Sequence, residues 1–196
     1  MTYIGIIVSF VFVNNIVLGQ LLAGNDFLEV TRNMKTALTF GVLLVCTAAV
    51  SCLATWAVYR GLLAPFGLEY LQTLSFILVI TGLVLILELL FGKAAPRLFG
   101  RLEPYFPSVA TNCAVLGICL TAARSGYTAA ESLVAGASAG AGYFLAVLLL
   151  TSLREAMRKE WIPRPFQGAP ITLISAGLMA LAFMAFDEAL LKNLLK

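Results

Sequence analysis

Six continuous apolar runs of 18 to 24 residues leave this chain few ways to fold. They lie at 3–23, 36–59, 70–91, 105–122, 132–151 and 169–186. A helix needs about 17–25 apolar residues to cross a hydrocarbon core. In lipid, only helices and closed barrels satisfy every backbone N–H and C=O. The runs are continuous rather than alternating, which excludes barrel strands. The sequence therefore predicts an all-α integral membrane protein of six transmembrane helices in a single domain.

Composition agrees with the runs. Only 12% of the 196 residues are charged, and 61% are hydrophobic, whereas a soluble domain of this size carries roughly a quarter charged residues. Mean hydropathy is +0.96. The net charge of +3 is small and its bearers are scattered, which argues against a nucleic-acid partner and leaves membrane lipid as the solvent. No basic start with a short apolar core and small-residue cleavage site marks the first run as a secretory signal, so it is expected to remain as a span. Short connections carry nearly all the charges, and Pro65, Pro96, Pro104, Pro163 and Pro165 fall in or beside them as helix breakers.

Lysine and arginine set the expected orientation. Nine lie after runs one, three and five: Arg32 and Lys35; Lys93, Arg97 and Arg101; Arg154, Arg158, Lys159 and Arg164. Four lie on the other side: Arg60, Arg124, Lys192 and Lys196. The positive-inside rule puts the first group in the cytoplasm and both termini outside it.

One motif occurs twice. Val13-Asn14-Asn15-Ile16-Val17-Leu18-Gly19 lies in the first run, and Thr111-Asn112-Cys113-Ala114-Val115-Leu116-Gly117 in the fourth. Asn, Val, Leu and Gly coincide at an offset of 98 residues, from Asn14 to Asn112 and from Gly19 to Gly117. Three spans separate the copies, an odd number, so the second copy enters the membrane from the opposite side. That is an inverted-topology repeat, one copy over about residues 1–98 and the other over about 99–196. Such repeats hold substrates or ions at broken helices near the midplane. Gly19, Gly24, Gly117 and Pro107 make runs one and four the candidates for such breaks. Asn14, Asn15 and Asn112 are costly in hydrocarbon unless hydrogen-bonded, so they should face the bundle interior. Tying helices together and lining a site are both open to them.

Four cysteines and no histidine narrow the metal chemistry. Cys46 and Cys52 lie in the second run, and Cys113 and Cys119 in the fourth. No CxxC spacing occurs, and residues six apart on one helix point to different faces, so zinc or haem held by this chain alone is not expected. Cys46, Cys52 and Cys119 read as small packing residues. Cys113 differs because it sits inside the repeated motif, beside Asn112, and it would need partners from elsewhere. Glu88, a carboxylate inside the third run, is open to ion handling or to pairing with Lys93 near the end of its span. The small-residue run from Ala135 to Gly142 reads as a close helix-packing face.

These residues together resemble a known family. Phe12-Val13-Asn14-Asn15 with Val17-Leu18, the stretch from Tyr70 to Ile80, the second asparagine motif and the stretch from Ile174 to Met184 are similar to the A subunits of Rnf complexes. Those are relatives of the E subunit of the sodium-pumping NADH:quinone reductase. The resemblance covers essentially the whole chain.

It implies a bacterial or archaeal cytoplasmic-membrane subunit of a ferredoxin- or NADH-linked oxidoreductase that moves sodium ions or protons. The expected partner is a homologous six-helix subunit of opposite topology, the Rnf E subunit or its reductase D counterpart. The B, C, D and G subunits of Rnf complete the complex, and flavins are confined to other subunits. The paired subunits would share a two-iron, two-sulfur cluster, to which the second motif contributes Cys113. The first motif departs from the pattern. Where the family has Gly-x-Cys-Pro-Phe, this chain reads Ala23-Gly24-Asn25-Asp26-Phe27, with Asn25 in place of the cysteine. Three arrangements stay open: three cysteines with Asp26 or another oxygen ligand, a cluster shifted toward the partner, or no cluster. An electron-transfer subunit is the leading function, and a non-redox scaffold or small permease is the alternative.

Overall fold

The computed structural model describes residues 3–13, 30–31, 33–94, 100, 103–157 and 163–184, and all of its regular elements are helical. Helix α1 (Tyr3–Val8) runs on into a π-helical turn, Ser9–Val13. Helix α2 (Met34–Val58) continues through a π turn to Phe66. Helix α3 is Gln72–Ala94 and α4 is Phe106–Ala110. Helices α5 (Cys113–Arg124), α6 (Ala129–Met157) and α7 (Ala169–Met184) follow.

Three helices are each long and apolar enough to span a membrane: α2 with its extension, α3 with the turn before it, and α6. The segment Glu103–Ala110 and helix α5 pass the same test together and are bent by 45° at Thr111–Asn112. The fourth apolar run is thus a broken helix, and the break falls within the second asparagine motif. Helix α7 is shorter, at 16 residues. Beyond Val13 the first run lies outside the described residues, so the first motif and the complete six-span repeat do as well.

Helix α6 is the central post, and its most extensive partner is α2. The small-residue run makes this possible. A Cβ on Gly136 would stand 2.6 Å from the Ala48 carbonyl oxygen, and one on Gly140 would stand 2.7 Å from Val45 Cα. Higher numbers on α6 meet lower numbers on α2, so the two run antiparallel. Gly41 receives the Phe144 ring in the same interface. Backbones this close gain dispersion contacts and hydrogen-bonding proximity that lipid cannot supply.

The broken span runs parallel to α2. At one end Tyr105 packs edge-on against Phe40, and its hydroxyl donates to Thr36 Oγ1 at 3.5 Å. Arg154 Nη1 donates to the buried Thr31 hydroxyl at 2.7 Å. At the other end Trp56 Nε1 donates to the Tyr127 carbonyl at 2.8 Å. The turn that presents this carbonyl is a Schellman motif: Gly126 adopts φ 65° and donates to Ala123 O, while Tyr127 N–H reaches Ala122 O. Helix α6 then opens with a capping box, in which the Glu131 carboxylate accepts from Thr128 N–H and hydroxyl at 2.9 and 3.0 Å. The segments flanking the odd-numbered connections therefore gather at one end of the bundle.

Helices α3 and α7 form the periphery. In α3, 17% of the span is buried, against 50% in α2 and α6. Leu74, Leu78, Leu85, Ile86, Leu89 and Leu90 of α3 are exposed, as are Leu173, Leu178, Leu181 and Met184 of α7. Such a perimeter suits hydrocarbon surroundings and would be an aggregation hazard in water.

Candidate functional site

The break within the fourth apolar run brings several polar groups together. Phe106 and Val109 bury the short helix α4, and Pro107 occupies its first turn. The chain turns at Thr111, whose N–H and hydroxyl both reach back to the Pro107 carbonyl, at 3.2 and 3.0 Å. Asn112 is then extended, at φ −71° and ψ 114°, and begins a new helix. Its Oδ1 accepts the Ala114 N–H at 2.9 Å, an N-cap interaction, and its Nδ2 donates to the Tyr143 hydroxyl at 3.4 Å. Both residues are buried. A polar side chain thus crosses from the break to the central post, as interior placement of Asn112 requires.

Cys113 is the first residue of α5, and it is exposed. A side chain there stands beside the N-terminal amides of the helix, whose partial positive charge favours an anion such as a thiolate. Among the described residues no three His, Cys, Asp or Glu side chains converge on a point. Among the described residues Cys113 is thus a single outward-facing thiol, without a complete ligand set around it. Asn14, Asn15, Asn25 and Asp26 lie outside the described residues.

The other cysteines separate by environment. Cys46 is exposed on α2. Cys52 and Cys119 are both buried, and their sulfurs lie 3.5 Å apart across the α2–α5 interface. Spacing along one helix gives no hint of this pair, because it depends on the register between two helices. Tyr143 also escapes sequence reading, as an aromatic in an apolar run looks like ordinary packing. A small apolar cavity lined by Leu44, Ala114, Ile118 and Tyr143 lies beside the start of α5.

Glu88 is half-buried on α3, and its side chain makes no hydrogen bond or ion pair with the described residues. The pairing with Lys93 that the sequence leaves open does not form. Five residues advance about 140° around a helix of 3.6 residues per turn, so the two side chains diverge. Arg154 turns to Thr31, and its neighbour Glu155 is exposed.

The family profile described as "Rnf-Nqr subunit, membrane protein" matches residues 3–190. The chain belongs to this family. Among its Rnf-Nqr relatives, the A subunit of the Na(+)-translocating ferredoxin:NAD(+) oxidoreductase complex of Acetobacterium woodii is 39% identical over 187 residues, covering 95% of this chain and 97% of that one. The A subunit of the ion-translocating oxidoreductase complex of Syntrophotalea carbinolica is 41% identical over 181 residues, covering 92% and 94%. The protein of the same name from Edwardsiella ictaluri is 40% identical over 185 residues, covering 94% and 96%. Family membership and the apolar helices together make this Rnf-Nqr chain a multi-pass membrane protein.

Proposed function

We propose that this chain is the A-type membrane subunit of an ion-translocating oxidoreductase complex. In this reading Cys113 gives one thiolate to a two-iron, two-sulfur cluster shared with a homologous subunit of opposite topology. The observation that carries it is Cys113 itself, exposed at the first position of α5 immediately after the 45° break. The names of the relatives, each the A subunit of such a complex, support the assignment. A cluster of this type needs four ligands in all, so one outward-facing cysteine suits an interface between subunits.

When bound, the cluster would take up and release single electrons. The residues of this chain hold and tune it. Cys113 ligates, Asn112 fixes the first turn of α5, Tyr143 anchors Asn112, and the helix amides offset negative charge. At the family's other cysteine position this chain offers Asn25 and Asp26, of which the Asp26 carboxylate is able to ligate iron. Glu88, with no partner among the described residues, is the carboxylate available to the translocated sodium ion or proton. Two inverted three-helix repeats, a cytoplasmic-membrane location and outward termini complete the reading.

Iron, acid-labile sulfide and electron paramagnetic resonance of the purified complex test it. A membrane cluster signal that disappears in Cys113→Ser is expected. A complex that transfers electrons with no iron in its membrane subunits would replace this reading with a non-redox scaffold.

A further inference from the structure

Cys52 and Cys119 take no part in that chemistry, yet the fold brings them together. Their sulfurs are 3.5 Å apart, and each residue is 1% exposed. A disulfide bond is about 2.05 Å long. About 1.5 Å of closure therefore separates two thiols in contact from a covalent link.

The surroundings hold the two helices at this separation. Four residues beyond Cys52, the Trp56 indole is bonded to the Tyr127 carbonyl, which fixes the end of α2 to the turn that ends α5. On the α6 side, a Cβ on Gly136 would lie 2.9 Å from Cys52 Cβ, so α2 has no room to retreat there. A cysteine reacts as its thiolate.

We propose that Cys52 and Cys119 are a redox-responsive dithiol that closes to a disulfide, stapling α2 to the second half of the broken span. The oxidant class is a peroxide. One thiolate attacks a peroxide oxygen, giving a sulfenic acid and releasing water once the departing hydroxide takes up the thiol proton. The second thiolate attacks that sulfur and displaces hydroxide, which leaves as a second water with the other thiol proton. In total, two thiols and one hydrogen peroxide give one disulfide and two waters, a two-electron oxidation. In the orientation that the lysine and arginine distribution favours, this end of the bundle faces away from the cytoplasm, where disulfides persist. The staple leaves the Cys113 end of α5 untouched, about 9 Å away along the helix.

The test uses membranes containing the assembled complex, treated with hydrogen peroxide and then denatured and alkylated. Peptide mass spectrometry should find the Cys52 and Cys119 peptides joined, with loss of two hydrogens, and separated again by dithiothreitol. Cys52→Ser and Cys119→Ala should each abolish the link while the chain stays in the complex. Cys113→Ser should form the link as fully as the parent, so a missing cluster does not affect the result. Oxidation of Cys46 and Cys113 with Cys52 and Cys119 still alkylatable would overturn the proposal. Separate, unlinked sulfinic acids at the two positions would overturn it equally.

Discussion

The Asn112 side chain joins two helices at once, accepting the Ala114 N–H at the start of α5 and donating to the Tyr143 hydroxyl on α6. Removing it in Asn112→Ala takes away an N-cap and leaves a buried hydroxyl short of a donor. Loss of a cap costs about 0.5–2 kcal/mol. Tyr143→Phe keeps the ring and removes the hydrogen bond from Asn112, a loss of about 0.5–1.5 kcal/mol. Thermal unfolding of the purified complex should rank the parent above Tyr143→Phe, and Tyr143→Phe above Asn112→Ala. Equal stability for all three would show the network to be incidental.

The close approach of α2 and α6 gives a second expectation. Gly136→Ala places a methyl against the Ala48 carbonyl and forces the helices apart. Overpacking of this kind costs about 1–3 kcal/mol. Gly82→Ala on α3 meets nothing within 4 Å and should be neutral, or stabilising by up to about 1 kcal/mol. Unfolding of the two variants side by side checks the contrast.

Much of this was legible in the residues, for identifiable reasons. Apolar run length marked α2, α3 and α6, because hydrocarbon thickness sets it directly. The bend at Thr111–Asn112 was foreshadowed by a polar residue and Pro107 inside an apolar run. Helix α6 exceeds its run at both ends, over Ala129–Met157 rather than 132–151. A capping box begins it early, and helical hydrogen bonding carries on through Arg154 into polar sequence that a hydropathy reading stops at. The Cys52–Cys119 pair and the Arg154–Thr31 bond could not be read, since they depend on how separate helices align. Glu88 was visible as a carboxylate in a span, but its environment was not.

Orientation yields a third prediction. Ser125 and Glu155 are exposed at opposite ends of the bundle. With nine of the 13 basic residues beside the odd-numbered connections, Ser125→Cys should react with an impermeant maleimide from outside the cell. Glu155→Cys should react only after the membrane is opened. The reverse pattern would turn the chain the other way up.

Ion handling by Glu88 yields a fourth. Glu88→Gln keeps the shape of the side chain and removes its charge. If Glu88 contacts the moving ion, the complex should assemble normally and require a severalfold higher sodium concentration, or a lower pH, for half-maximal electron transfer. Unchanged ion dependence would remove Glu88 from the pathway.

The most direct test is the electron paramagnetic resonance spectrum of the reduced complex carrying Cys113→Ser, alongside Cys46→Ala as a control on the same chain. The membrane cluster signal and electron transfer should be lost or strongly shifted in Cys113→Ser, with every subunit still present, and retained in Cys46→Ala. A full signal and full electron transfer in Cys113→Ser would contradict the redox role of this chain.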